Sequence, residues 1–207
     1  MVSRFARLIA FWVALLAPAG PFAAPAPLPD DATPGSLQGQ LLIAGPRMGD
    51  PRFAHTVVLI VRHDRTGALG LVINRPFEER SIKGLLAAVG RPDDTVEGKV
   101  RVYAGGPVEV GVGFILHSTE YHGSDTKPVD SHIAMSSDPD LLRDIGHHKG
   151  PAKYLFAIGY AGWAPGQLEG ELARQDWFTE PADPRLVFDD DRASLWERAM
   201  ARRPRDL

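Results

Sequence analysis

The chain contains no cysteine, which excludes disulfide bonds, thiolate nucleophiles, cysteine-based zinc sites and thiol redox switches. An excess of positive charge is also missing, because 23 basic and 26 acidic residues leave a net charge of -3. Nucleic-acid-binding domains usually concentrate positive charge on one face, so a nucleic acid is not an expected partner.

No apolar run is long enough to form a stable membrane span. The run at residues 8–17 has about ten residues, whereas a spanning helix needs about 20. Because Arg4 and Arg7 precede this run, and small residues and prolines follow it, residues 1–24 resemble a secretory signal peptide. We expect export to the periplasm after cleavage of this leader. The alternative is an uncleaved extension on a cytoplasmic protein.

A short linker is predicted after the leader, because residues 25–36 are rich in proline and aspartate. From residue 37 to residue 207 there is no internal repeat, heptad pattern or low-complexity tract. A chain of this length, with 44% hydrophobic residues, can bury one full core. We therefore predict a single domain over residues 37–207.

β-Branched and apolar runs predict a hairpin of residues 55–63 and 68–74, joined by a turn at residues 64–67. The first strand shows no polar alternation, which indicates that helices cover the sheet. Glycine, proline and capping residues predict helices at 81–89, 137–147, 165–173 and 191–201. Further strands are predicted at 99–103, 113–117, 129–134, 153–158 and 185–188. This irregular order of elements favours the α+β class.

Four glycine-rich segments lie at the ends of apolar strands, where loops often carry function. They are LLIAGPRMGDPRFAHTVV at 41–58, GALGLVINRP at 67–76, YAGGPVEVGVGFILH at 103–117 and GYAGWAPGQLEGEL at 159–172. In this order they resemble the signatures of the AlgH/YqgE family. Together with the spacers between them, these segments cover nearly all of the chain beyond the leader.

The resemblance implies an α+β fold in which a branched, mainly antiparallel sheet curls into a partial barrel flanked by helices. It also implies regulatory associations, including exopolysaccharide control, without an established biochemical activity. Leu69 stands where the family usually has Met, a swap of nearly equal volume. The leader is the larger departure, because the family is mostly thought to be cytoplasmic.

Two polar or glycine-rich loops supply candidate ligand contacts. Asn74 and Arg75 follow a buried strand, and the Arg guanidinium could bind a carboxylate or a phosphate; the alternative is a structural arginine that pairs with a nearby acid. Gly105, Gly106 and Pro107 could present backbone amides to an anion. No lysine and no helix follows this loop, so it is no Walker A loop, and a tight turn between strands is favoured.

His117 is the strongest single candidate for a general base or ligand, because the end of a strand can hold its ring at a cleft. The alternative is a histidine that bonds a backbone carbonyl. Trp163 and Gln167 could contact a partner, although a core position is favoured for Trp163. No spacing of acidic, histidine or glycine residues indicates a metal or a cofactor. The adjacent His147 and His148, in particular, cannot share one helical face.

These patterns predict a non-catalytic binding or regulatory module that contacts a protein or a small molecule. The alternative is a hydrolase that uses His117 with Asn74, Arg75 and the amides of Gly105 and Gly106. No serine lies in a G-x-S-x-G elbow, so that alternative has no visible serine nucleophile. A DNA-binding regulator would require clustered basic charge, which the sequence does not show.

Overall fold

The computed structural model describes residues 35–202, so the predicted leader and most of the predicted linker lie outside the described residues. Ten strands run through this part of the chain. They are β1 (Gln40–Ala44), β2 (Val57–Asp64), β3 (Gly67–Val72), β4 (Pro76–Ser81), β5 (Lys99–Ala104), β6 (Val108–Ser118), β7 (Lys127–Pro128), β8 (Ile133–Ser136), β9 (Tyr154–Trp163) and β10 (Trp177–Pro181).

Five helices accompany the strands: α1 (Ile82–Ala88), α2 (Pro139–Gly146), α3 (Gln167–Ala173), α4 (Pro184–Val187) and α5 (Leu195–Arg202). Local capping explains where α1 and α2 begin. The amide of Gly84 donates to the Ser81 hydroxyl, and that of Asp140 donates to the Asp138 carboxylate. None of the helices in residues 35–202 is long and apolar enough to cross a membrane.

The strands form one mixed, mainly antiparallel sheet in the order β10-β1-β2-β3-β9-β6-β8-β7, and this sheet curls into a half-barrel. It branches along β9. One edge of β9 pairs with β6, while the other pairs with β5 at residues 156–158 and with β3 at residues 161–163. β4 extends the β5 branch as its outer strand. The predicted α+β class and the branched sheet are confirmed.

The β2–β3 hairpin is also confirmed, with the turn centred on Arg65 and Thr66. Five consecutive apolar residues of β2, from Val57 to Val61, are buried and divide between two clusters. One cluster includes the buried residues of α4 and α5, and the other includes those of α3. A third cluster packs α1 and α2 against β5, β6 and β9. Both faces of the hairpin are therefore covered, as the lack of alternation predicts.

Gly105, Gly106 and Pro107 connect two strands that do not pair with each other. β5 lies on one edge of β9 and β6 on the other, so this connection crosses the backbone of β9 at the branch. A Cβ on residue 106 would lie 2.0 Å from the carbonyl carbon of Tyr160. A Cβ on residue 159, where φ is +73°, would lie 2.5 Å from the Gly106 oxygen. The crossing of these two segments therefore requires glycine at both position 106 and position 159.

Several predicted elements are corrected. The strand predicted at 185–188 is the short helix α4, because Pro184 opens it and the Asp183 side chain accepts from the Arg185 amide. The strand predicted at 129–134 begins only at Ile133, since a turn around Asp130 occupies the preceding residues. The helix predicted from residue 165 begins at Gln167. The helix predicted from residue 191 begins at 195.

Candidate functional site

A groove of about 490 Å³ lies between α1, the beginning of α2 and the strands β4, β5, β6 and β9. Its volume is in the range of small-ligand sites, and its lining is mainly apolar. Buried side chains at its base belong to the cluster beneath the two helices: Val102, Ile115, Leu142 and Phe156. Among the buried residues of 35–202 that line the groove, Tyr103 alone carries a polar side-chain group, and its hydroxyl accepts from the Arg192 Nε at 3.2 Å. The groove therefore suits an apolar group better than a reacting one.

Exposed apolar side chains stand at the mouth of this groove. Phe77 at the start of β4 is 73% exposed, Val110 in β6 is 69% exposed, and Val89 at the end of α1 is 54% exposed. Only two other large apolar side chains in the described residues, Val108 and Tyr154, are exposed. Contiguous exposed apolar surface on a soluble protein commonly marks a site of interaction.

Three charged side chains line the groove: Glu78, Arg80 and Asp138. Glu78 and Arg80 neutralise each other, because the Arg80 Nε lies 2.6 Å from the Glu78 Oε1. Asp138 accepts hydrogen bonds from the Asp140 amide and the Ser124 hydroxyl. It has no Lys or Arg partner among residues 35–202, so it leaves one uncompensated negative charge at the groove.

Asp125 supports the chain just before α2. Its Oδ2 accepts from both the amide and the hydroxyl of Ser137, at 3.0 and 2.8 Å. Burial alone raises the pKa of Asp125, but these bonds and the nearby Lys127 outweigh burial and lower the pKa. The carboxylate thus stays ionised and holds the polar end of the groove in place.

The sequence also contains a Ser-x-x-Lys tetrad at residues 124–127, which was missed at the sequence level. The structure does not pair its two ends. The Ser124 hydroxyl donates to Asp138 at 3.0 Å, and the Lys127 Nζ lies 3.1 Å from the Asp125 carboxylate. The lysine therefore contacts a carboxylate and not the serine, so the two residues do not form a nucleophile and its base.

Asn74 and Arg75 anchor the loop between β1 and β2. The Asn74 Oδ1 accepts from the Val57 amide and its Nδ2 donates to the His55 carbonyl, both at 2.9 Å. The Arg75 Nη2 donates to the Ala54 carbonyl at 3.0 Å. These contacts give both residues a structural role. The partner of Arg75 is a carbonyl and not an acid.

The backbone of Gly105 is fully engaged at the branch. Its amide donates to the Ile158 carbonyl at 2.8 Å, and its carbonyl accepts from the Val72 amide at 2.8 Å. This engagement leaves the Gly105 amide unavailable to an anion. Of the candidate residues named from the sequence, Gly106 is the one that lines the groove.

His117 is completely buried in β6, and its ring stands edge-on to Tyr121 with centroids 5.5 Å apart. Its Nδ1 lies 3.0 Å from the Ser118 carbonyl, so this nitrogen carries the proton. The other nitrogen, Nε2, is buried without a hydrogen-bond partner in the described residues. Burial lowers the pKa of His117, partly offset by the Ser118 carbonyl and by the charge of Glu120. His117 is thus a neutral core histidine that does not line the groove.

Trp163 and Gln167 belong to a cluster around one carboxylate of α3. The indole Nε1 atoms of Trp163 and Trp177 each donate to the Glu171 Oε2 at 2.8 Å. The Gln167 amide donates to the Glu171 Oε1 at 2.9 Å. Phe53 stacks edge-on against Trp177. Within the described residues, the polar atoms of these candidates are thus used inside the fold.

The candidate residues are spread along β9. His117 is paired with Tyr154, Gly105 binds Ile158, and Trp163 ends the strand. At about 3.3 Å per residue, Tyr154 and Ile158 lie about 13 Å apart along the strand. Arg75 and Gly105 lie near each other, because the Ala104 amide donates to the Arg75 carbonyl and the Val72 amide to the Gly105 carbonyl, whereas His117 lies farther along β9. The described residues contain no cluster of three or more metal-ligating side chains.

A family model described as AlgH-like matches residues 41–207, which include the four glycine-rich segments and all but the first few described residues. The chain belongs to the AlgH-like family. A UPF0301 protein of Sphingopyxis alaskensis is 42% identical over 171 residues, covering 83% of this chain and 91% of that protein. One of Rhodospirillum rubrum is 44% identical over 168 residues, covering 81% and 88%.

Solved structures give the same assignment. The solution structure of the AlgH protein from Pseudomonas aeruginosa matches with a TM-score of 0.71 and 38% identity, covering 83% of this chain and 91% of that chain. A Corynebacterium diphtheriae crystal structure matches with a TM-score of 0.63 and 22% identity, covering 80% and 86%, and supports the fold alone. The AlgH-like family is one of uncharacterised function, so any activity of this chain has to be argued from its own groove.

Most of the residues that line the groove of this AlgH-like chain were not predicted from the sequence. Phe77 was not predicted as a site residue because a polar run, Glu78 to Ser81, follows it. Val110 was not predicted because it lies inside a glycine-rich segment. The available sequence signal was that Phe77 and Val110, which lie 33 positions apart, are large apolar residues that each stand beside a charged one. Only the tertiary fold shows that these segments face the same groove.

Proposed function

We propose that this AlgH-like protein is a non-catalytic binding or regulatory module whose site is the apolar groove between α1, α2 and the branched sheet. The observation that carries the proposal is the ring of exposed apolar side chains at its mouth: Phe77, Val89 and Val110. Among the described residues, the one buried polar side-chain group in the lining is the Tyr103 hydroxyl, which already accepts a hydrogen bond from Arg192. Such a lining binds an apolar body without reacting with it.

The charge at the groove specifies the polar end of the ligand. Glu78 and Arg80 cancel each other, and Asp138 remains. Asp138 also occupies the N-terminal end of α2, so an anionic group would meet a carboxylate rather than free helix amides. The ligand class that fits is a small molecule with an apolar body and a cationic end.

Decylamine and decanoate test this proposal, because both are linear ten-carbon compounds and they differ in the sign of their charge. Titration calorimetry of the purified protein, below the aggregation limit of either compound, should show decylamine binding about tenfold more tightly, which corresponds to about 1.4 kcal/mol. The Asp138→Asn variant should remove most of this preference while keeping the helix cap. Asp190→Asn, an exposed acid elsewhere, should leave the preference unchanged.

Two adjacent alanines of α1 test whether the groove itself is occupied. Ala87 and Ala88 are both exposed, but only Ala88 lines the groove. Ala88→Trp should block decylamine binding, and Ala87→Trp should not. Equal binding by the two variants, or an equal affinity for both probes, would contradict the proposed site.

A further inference from the structure

β4 is an outer strand whose second edge has no partner strand among residues 35–202. It pairs only with β5, and its side chains from Phe77 to Ser81 are exposed or half-buried. An unpaired edge of this kind can accept another strand through its backbone groups. The large exposed ring of Phe77 stands at the start of this edge.

We propose that the partner of this edge is a second copy of the same chain, joined antiparallel across a two-fold axis at Glu79. In that register, Glu78 of one copy lies opposite Arg80 of the other, and the reverse pair forms on the other side of the axis. Cross-strand pairs of opposite charge stabilise a sheet, and like charges destabilise it. The Glu-x-Arg pattern of β4 is therefore complementary to itself.

The opposite face of β4 tolerates the same register. The two Glu79 side chains would meet at the axis, where like charges normally repel. Each Glu79, however, lies 3.7 Å from Arg101 of its own chain. The group at the axis therefore contains two negative and two positive charges. The two Phe77 rings would lie opposite the two Ser81 residues, which places apolar surface at both ends of the paired segment.

Charged residues on an edge strand often protect it from pairing, and Pro76 has the same effect. Such protection works by repulsion or by an unmatched charge, whereas here Glu78 and Arg80 each meet an opposite charge in an identical strand, and Glu79 lies beside Arg101 of its own chain. A pairing of this length buries little surface, so the dimer should be weak and should depend on concentration. Glu78 and Arg80 are partly exposed, so their pairs select the partner more than they strengthen binding.

Charge reversal combined with mixing tests the inference, and it does not depend on what occupies the groove. The full chain should change from monomer to dimer in sedimentation equilibrium between roughly 1 and 500 µM, the range of a small interface. Glu78→Arg and Arg80→Glu should each weaken self-association at least about tenfold, because each variant places like charges opposite each other. The double variant should dimerise like the native chain.

An equimolar mixture of the two single variants is the decisive sample. The Glu78→Arg chain carries arginine at both positions and the Arg80→Glu chain carries glutamate at both, so the two cross-strand pairs between positions 78 and 80 join opposite charges. A heterodimer should form at concentrations where each variant alone stays monomeric, a result that general damage to the fold cannot produce.

Arg52→Glu, on an exposed loop far along the chain, is the matched control and should dimerise normally. A native chain that stays monomeric throughout, or single variants that dimerise as the native chain does, would overturn the inference.

Discussion

Gly106 crosses the backbone of Tyr160 so closely that a Cβ on residue 106 would lie 2.0 Å from the carbonyl carbon of Tyr160. This contact lies where β9 changes partner from β5 to β3, and the chain there passes from one edge of β9 to the other. Neither backbone can move without disturbing paired strands on both sides. The branch of the sheet, and with it one end of the groove, depends on this contact.

Replacing Gly106 by alanine should therefore lower the free energy of unfolding by at least about 3 kcal/mol, since the added methyl group meets backbone atoms. Gly111 is a matched control in the same glycine-rich segment, because a Cβ there meets nothing within 4 Å. Gly111→Ala should change the free energy of unfolding by less than about 0.5 kcal/mol. Urea unfolding followed by circular dichroism measures both values, and equal losses would contradict the crossing geometry.

The carboxylate of Glu171 should be a major local source of stability. Glu171→Ala leaves the indole N–H groups of Trp163 and Trp177 without their acceptor, which should cost about 2–4 kcal/mol. Glu169, on the same helix, has an exposed side chain whose carboxylate lies 2.9 Å from the partly buried His63. Glu169→Ala should therefore cost less than about 1 kcal/mol.

Chemical denaturation measures this difference, and the indole N–H resonances of the two tryptophans report the cause. In Glu171→Ala both resonances should shift, because both donors lose the same oxygen. A variant that is destabilised without a shift of either resonance would show that the two indole hydrogen bonds to Glu171 are not the source of the stability.

His117 should make folding stability dependent on pH. Burial holds the pKa of folded His117 below its usual value of 6.5, so the unfolded chain binds more protons as pH falls through that value. The contribution of His117 is thus complete above about pH 6.5 and is lost as pH falls toward the folded pKa. The free energy of unfolding should decrease from about pH 7.5 to pH 5.

In His117→Gln this decrease should be smaller than in the native chain, whatever the stability of the variant at pH 7.5. His132→Gln is the control, because His132 is exposed in the turn before β8. The control should keep the native dependence on pH. If His117→Gln and the native chain lost stability in parallel, the buried neutral state of His117 would be refuted.

Local signals explain which parts of the fold are predictable from the sequence. The β2–β3 hairpin and the cap at Ser81 depend on neighbouring residues, and both were predicted correctly. β4 was not predicted, because its charged residues become a strand only by pairing with β5 some twenty positions later. The family resemblance supplied the curled sheet, which no local pattern contains.

The candidate site shows the same limit more strongly. Polar residues such as Asn74, Arg75 and Gln167 attract attention in a sequence, yet each has a partner inside the fold. The groove is assembled from segments far apart in the chain, and its most exposed members, Phe77 and Val110, carry no reactive group. A search for chemistry in the sequence therefore passes over a site that binds by shape.

Compartment decides which ligands and partners can reach that groove. We expect residues 1–24 to be removed on export, because Arg4 and Arg7 precede an apolar run of signal-peptide length. Fractionation of a native host, followed by measurement of the intact mass, should place a shortened chain in the periplasm.

Leu15→Arg inserts a charge into the apolar run and should leave the full-length chain in the cytoplasm, whereas Thr33→Arg, beyond the leader, should be processed normally. Full-length native protein in the cytoplasm would contradict export and return cytoplasmic partners to consideration; a shortened periplasmic chain would exclude direct contact with the chromosome.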